Sequence, residues 1–187
     1  MMKRAFDLLF CLVLMMLFLV PFVLIFIAVK VTSHGPIFYW SDRVGRKNNI
    51  FRMPKFRTMQ INTPELPTHL FDSPNSFLTP IGSFLRKTSL DELPQLWCIL
   101  KGDMSLVGPR PALFNQDDLV KLRTLKGIHQ LTPGLTGWAQ INGRDELPIL
   151  IKVKFDEEYL QKKSFLFDLK ILWLTVLKVI LSEGISH

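Results

Sequence analysis

The chain has 187 residues, enough for one compact domain with accessory segments and a core of its own. Apolar residues make up 48% of it and mean hydropathy is +0.24, both high for a soluble protein. A net charge of +7 asks for an anionic partner, whether a membrane surface, a nucleic acid or a phosphorylated substrate, while the two cysteines, Cys11 and Cys98, provide neither a disulfide framework nor a zinc spacing.

Residues 8–29 carry no charge and would extend roughly 33 Å as a helix, which is bilayer scale. The run is too long for a cleaved signal peptide, and no small-residue cleavage site follows it. Lys3 and Arg4 precede it and Lys30, Arg43, Arg46 and Lys47 follow, so a spanning helix would have no preferred orientation. Pro21 near its middle predicts a bend that returns the chain to the face it entered, provided the carbonyls freed near residue 17 find partners. The expectation is a re-entrant anchor over residues 1–33 and a membrane-surface domain over 34–187; a straight single pass is the plain alternative.

Residues 37–41 and 50–59 read as short strands joined by a turn around Gly45, Asn48 and Asn49. In the stretch KFRTM, Lys55 and Arg57 stand two apart and share a face if extended, as a phosphate-binding pair or as part of a solvated basic strand. Residues 62–75, rich in Pro, Thr and Ser, read as a surface loop. Thr79 and Pro80 then cap and open a short helix ending near Lys87.

The stretch RKTSLDELPQLWCILKGDMSLVGPRP, residues 86–111, concentrates the chemistry. Asp91 and Glu92 offer a nucleophile, a base or a hard-metal ligand, while Arg86, Lys87 and Arg110 can neutralise phosphoryl oxygens that would repel a carboxylate. Pro109 and Pro111 stiffen the backbone on both sides of Arg110, so its guanidinium loses less freedom on meeting an anion. Ser89 and Glu92 also spell a capping box, the more common use of an isolated acid pair. The helix so opened would show Leu93, Leu96, Trp97 and Leu100 on one face and stop at Gly102. Pro94 makes a start at Asp91 equally acceptable.

Residues 117–126 place acids first and bases last, as a surface helix prefers. Pro133 and Gly134 suit a type II turn, residues 138–141 a short strand, and Asn142 and Gly143 a turn presenting Arg144. His69 and His129 have no ligand spacing around them. Asp145 begins a second DELP that more simply caps a helix through Phe155 and Tyr159. Residues 165–181 are too short and too charged to span, and suit either an interfacial helix with Trp173 at the boundary or a core helix.

Together these pieces resemble the bacterial sugar transferase family, small monotopic phosphoglycosyl transferases that start glycan assembly on polyprenyl phosphate. The resemblance runs from Lys3, Arg4, Phe6 and Asp7 through KFRTM, the 86–111 block and PGLTGWAQINGR to FDLKIL beginning at Phe167. One departure is Val20 before Pro21, where relatives often carry Ser. The resemblance implies a mostly helical α/β membrane-associated domain with interfacial amphipathic helices, at the cytoplasmic face of the bacterial inner membrane. It implies transfer of a sugar 1-phosphate from a UDP-sugar to undecaprenyl phosphate with release of UMP, Asp91 attacking the β-phosphorus and Glu92 serving as the second acid. A helix N-terminus would keep Asp91 ionised. Mg²⁺ held by Asp91 and the diphosphate would offset their repulsion, with Arg110, Arg86, Arg144, Lys55 and Arg57 on the phosphates. Direct single displacement, and a non-catalytic scaffold that binds lipid phosphates, are the competing expectations. Nucleic acid is set aside because the bases lack interleaved aromatic platforms, and homo-oligomerisation stays open. No motif names the sugar; an N-acetylated amino sugar is the starting guess.

Overall fold

The computed structural model describes residues 2–61, 63, 77–143 and 147–181. It is a mostly helical α/β fold with a bent apolar helix pair at its N-terminus. Helix α1 (Met2–Leu17) and helix α2 (Leu19–Thr32) meet at 60°, and no single helix is long and apolar enough to cross a membrane. The break falls at Phe18, not at Pro21. Proline is the third residue of α2, where a missing N–H removes only the bond to the Leu17 carbonyl, while Phe18 and Phe22 keep theirs to Leu14 and Phe18 at 2.9 and 2.8 Å.

Both ends of the pair are fastened to the same body. At the start, Lys3 Nζ donates to Asp168 Oδ2 at 2.5 Å and to the Val107 carbonyl at 3.0 Å, and Arg4 reaches the Ile99 and Leu100 carbonyls at 2.6 and 2.9 Å. The buried Asp7 accepts from Ser105 Oγ at 2.8 Å. At the far end, Arg57 donates to the His34 carbonyl and to the Ser33 carbonyl and hydroxyl.

Strands β1 (Phe38–Val44) and β2 (Ile50–Phe56) form the expected antiparallel hairpin, with Phe38 opposite Phe56 and Val44 opposite Ile50. A 3-10 turn at Arg46–Asn48 closes it, with Lys47 and Asn48 at positive φ. Helix α3 (Gly82–Thr88) begins two residues later than the Thr79–Pro80 signal, and Thr79 N–H instead donates to the Thr58 carbonyl at 2.9 Å. A 3-10 segment, Leu90–Gln95, absorbs Pro94 and leads into helix α4 (Leu96–Lys101), which stops at Gly102 in the left-handed region.

Strand β3 (Ser105–Val107) and strand β4 (Ala112–Leu113) flank the GPRP turn, with β4 on the free edge of β1. Helix α5 (Asp117–Leu125) lies where expected. Strand β5 (Gly134–Thr136) pairs parallel to β3, and residues 138–141, expected as a strand, form helix α6 (Trp138–Ile141). The parallel partner needs bare backbone: a Cβ on Gly134 would lie 2.1 Å from Gly108 N, and one on Gly137 2.1 Å from Gly108 O. Pairing therefore selects 134–136, and the next residues turn helical with Ala139 and Ile141 inward.

Helices α7 (Ile149–Lys162) and α8 (Phe165–Leu181) complete the fold. Ile171 and Asp168 of α8 are buried while Leu166, Trp173 and Val176 are exposed, so it has both a core face and an apolar outer face. The main core joins Cys11 of α1 to Met53, Ile99, Leu106 and Tyr159; a second cluster joins Ile25 and Val29 of α2 to Phe56 and Leu85.

Candidate active site

Ser89 takes the left-handed conformation (φ 57°) and makes no side-chain cap, so the S-x-x-E spacing is not used as a capping box. The acid side chains are thereby left for other partners. Glu92 accepts from Lys55 Nζ and from Arg110 Nη2, both at 2.7 Å to Oε1. Asp91 is 7% exposed, and its Oδ2 is 3.9 Å from Lys55 Nζ, an ion-pair distance beyond a hydrogen bond.

The two carboxyls are driven apart electrostatically. Burial pushes Asp91 up to about 6; Lys55 opposes that shift, the adjacent Glu92 charge adds to it, and Arg110 and Arg86 oppose it. Burial would raise Glu92 as well, yet the charges and hydrogen bonds of Arg110 and Lys55 overcome it and hold this carboxyl well below the usual range. Asp91 is therefore still mostly ionised at pH 7, roughly nine-tenths for a pKa near 6, in spite of its burial.

Arg110 is held between two prolines, neither of which has a backbone N–H to donate. Its segment's carbonyls each receive a donor: Pro109 O from Gly134 N–H at 2.9 Å, Arg110 O from Arg123 Nη1 at 2.8 Å, and Pro111 O from Arg43 Nη1 at 3.3 Å. Gly108 makes this possible, since a Cβ there would lie 2.3 Å from Thr132 O.

Of the residues expected in the site, the fold brings together Asp91, Glu92, Lys55 and Arg110. Arg86 stands close enough to lower Asp91, with Nε on Thr58 Oγ1 at 3.2 Å and Nη2 on Met59 Sδ at 3.2 Å. Arg57 is placed elsewhere. Strand β2 ends at Phe56, and the next residue turns to the end of the helix pair, where its guanidinium binds Ser33 and His34. Arg144, with Asp145 and Glu146 of the second DELP, and His69 in the 62–75 stretch lie outside the described residues.

An apolar groove of about 320 Å³ starts at Leu93 and Pro94, immediately after the acid pair, and runs between Trp97, Trp40 and Phe38 to Phe18 and Phe22 at the helix break. Residue order could not show it, because it is assembled from six separate elements, α1, α2, β1, β2, the 3-10 segment and α4. Among the described residues no three His, Cys, Asp or Glu side chains converge on one point. Two adjacent carboxylates, one already holding two cations, suit a Mg²⁺ ion that arrives with substrate phosphates as its remaining ligands, not an all-protein cage.

A buried acid beside an ion-paired carboxylate, followed in the chain by the first residues of an apolar groove that reaches a bent apolar helix pair, has the side chains that phosphate-group chemistry needs. The family model for bacterial sugar transferases matches residues 1–182, and the chain belongs to that family. It is 42% identical to the uncharacterized sugar transferase EpsL of Bacillus subtilis (99% of this chain, 90% of that protein) and 38% identical to the exopolysaccharide production protein ExoY of Rhizobium meliloti (97% and 87%). It is also 38% identical to the UDP-glucose:undecaprenyl-phosphate glucose-1-phosphate transferase of Escherichia coli, covering 94% of this chain and 39% of that longer protein. The chain is therefore an enzyme of the undecaprenyl-phosphate sugar phosphotransferase family, as the motifs led one to expect.

Proposed function

We propose that this enzyme moves a sugar 1-phosphate from a UDP-sugar to undecaprenyl phosphate in two displacements at Asp91, as the first step of glycan or polysaccharide assembly. The observation that carries this is the contrast within the acid pair: Glu92 is saturated by Lys55 and Arg110, while Asp91 is buried, ionisable near neutrality and beyond hydrogen-bond range of its nearest cation. In the first step a carboxylate oxygen of Asp91 attacks the β-phosphorus, an acyl phosphate bond forms, the bridging P–O bond breaks and UMP leaves with its electron pair. In the second, a phosphate oxygen of undecaprenyl phosphate attacks the same phosphorus and Asp91 leaves as carboxylate. One site thus serves the two substrates in turn.

Lys55 and Arg110 are the groups to meet the diphosphate, exchanging Glu92 for phosphoryl oxygens, with Arg86 near enough to assist. Asp91 and, once released, Glu92 would hold Mg²⁺, which supplies charge neutralisation of the diphosphate when bound. The groove from Pro94 to Phe22 suits the isoprenoid tail, since its Leu93–Pro94 end directly follows Asp91 and Glu92 in the chain. Residues 1–33 serve as a re-entrant anchor for the 34–187 domain at the cytoplasmic face of the inner membrane. Attachment of both Lys3 and Ser33 to the same domain supports this, and the exposed apolar face of α8 suits the interface.

The test is intact-protein mass spectrometry of detergent-solubilised enzyme with Mg²⁺ and UDP-glucose, UDP-galactose or UDP-N-acetylglucosamine, without lipid acceptor, beside Asp91→Asn. The expected result is a sugar-phosphate adduct on the wild type alone, with UMP released in an amount near that of the enzyme, the adduct mass naming the sugar class. Acceptor-dependent UMP release without an adduct would overturn the two-step scheme in favour of direct transfer. A substituted enzyme that keeps turnover would remove Asp91 from the chemistry.

A further inference from the structure

Arg123 sits on α5, the helix whose charge order marks it as a surface element, yet it is 8% exposed and Asp156 of α7, its partner, 1%. Arg123 Nε and Nη2 donate to Asp156 Oδ2 at 2.9 and 2.6 Å, and the remaining arm, Nη1, donates to the Arg110 backbone carbonyl at 2.8 Å. The guanidinium is thus used as a three-pronged spacer between α7 and the stretch that presents Arg110. That stretch has prolines on both sides and receives its other donors from Gly134 and Arg43. A buried ion pair contributes little net stability compared with an apolar pair of the same volume, so packing alone gives no reason for one here.

We propose that Arg123, fixed by Asp156, is a positioning residue for the transfer reaction: it sets the register of the Arg110 backbone so that the Arg110 guanidinium spans from Glu92 to the phosphoryl group. The inference rests on the role given to Arg110 above. Arg110 reaches Glu92 through a long flexible side chain, so a carbonyl left without its donor lets the stem drift, and a drift near 1 Å at such a group costs about 100-fold in rate.

Lysine at position 123 separates positioning from folding. Arg123→Lys keeps a charge against Asp156 but has no fork with which to hold the Arg110 carbonyl at the same time. Arg123→Gln combined with Asp156→Asn removes the brace while leaving no uncompensated buried charge. Two readouts are taken on detergent-solubilised enzyme. In side-chain ¹⁵N-arginine spectra, with the Arg110 signals assigned from Arg110→Lys, both variants are expected to shift the Arg110 guanidinium signals toward those of free arginine. In UMP release from UDP-glucose and UDP-galactose with undecaprenyl phosphate, kcat is expected to fall about 10- to 100-fold with KM within about threefold, and in an Arg110→Lys background the same changes should cost less than about threefold. Unmoved Arg110 signals, or losses that multiply with that of Arg110→Lys, would overturn the proposal. Shifted spectra in the variants, with a wild type that releases no UMP from any UDP-sugar, would instead remove the transferase reading and leave the brace standing.

Discussion

Two clusters of opposite charges meet at Arg110, a half-buried one on its side chain and a buried one on its backbone, and they are built by opposite rules. In the Arg123–Asp156 cluster every arm of the guanidinium has an acceptor between 2.6 and 2.9 Å, and one acid meets one base. In the Lys55–Glu92–Arg110 cluster two bases crowd one carboxylate while the other, Asp91, stands 3.9 Å away from the nearer base. A fully paired cluster fixes geometry and has nothing left to offer a substrate. An incompletely paired one leaves a carboxylate available to a substrate, which is how polar networks differ between architecture and chemistry.

The sharpest way to break that comparison is Asp91→Asn. Turnover should fall by more than about 1,000-fold, because the proposed nucleophile is gone. The same change should leave the melting temperature equal or higher. The folded-state pKa near 6 lies above the unfolded value, so the charge at Asp91 opposes folding at neutral pH and that opposition fades as pH falls through 6 toward 4. A lower melting temperature would mean that Asp91 is a structural partner after all.

Arg110→Gln comes next, with an expected loss of about 100- to 1,000-fold in kcat, typical of removing one preorganised charge from a phosphoryl-transfer site. Arg110→Lys should recover only part of it, since a single ammonium cannot replace a fork that spans Glu92 and a phosphate. Equal activity of the two variants would assign Arg110 a bulk charge effect only.

A smaller effect is expected in the pH profile. Rate under limiting UDP-sugar should decline about tenfold per unit below a midpoint near pH 6, where Asp91 takes up a proton. Glu92→Gln should move that midpoint to lower pH, because it removes a charge that raises Asp91 and releases Lys55 and Arg110, which lower it. An unmoved midpoint would detach the limb from Asp91. Glu92 itself acts in the opposite sense on stability: its depressed carboxyl stabilises the fold above its unfolded pKa, and that support is lost on strong acidification.

The smallest effect on turnover belongs to Arg57→Gln. It should cost about 1–3 kcal/mol of stability, since three acceptors at Ser33 and His34 lose their donor, with kcat changed less than about threefold. A large kcat loss at unchanged stability would return Arg57 to the phosphate set.

Much of the site was legible because its parts are close in sequence or lie in patterns with a mechanism: the acid pair, the proline-flanked Arg110 and Lys55 on a strand. Arg57 was misplaced for a physical reason, since sharing a face with Lys55 holds only while the strand lasts, and β2 ends one residue too early. Arg123 was hidden because acid-first, base-last order is as good for a surface helix as for one whose last base turns inward. The break at Phe18 was read three residues late because proline marks the lost hydrogen bond, not the residue where the axis turns. Residues 138–141 turn helical because the strand position was claimed by 134–136, where glycines let two backbones touch.

Those glycines also impose an order on how the enzyme comes into being. Residues 105–107 have no partner until 134–136 have been made and laid beside them, and the Arg110 carbonyl has no guard until α5 has docked. The acid pair, by contrast, needs only the hairpin that precedes it to bring Lys55 into place. During synthesis the acid pair is therefore placed before the Arg110 backbone is held, so a nascent or truncated chain that ends before β5 carries both Asp91 and Arg110 but lacks the Gly134 donor to the Pro109 carbonyl.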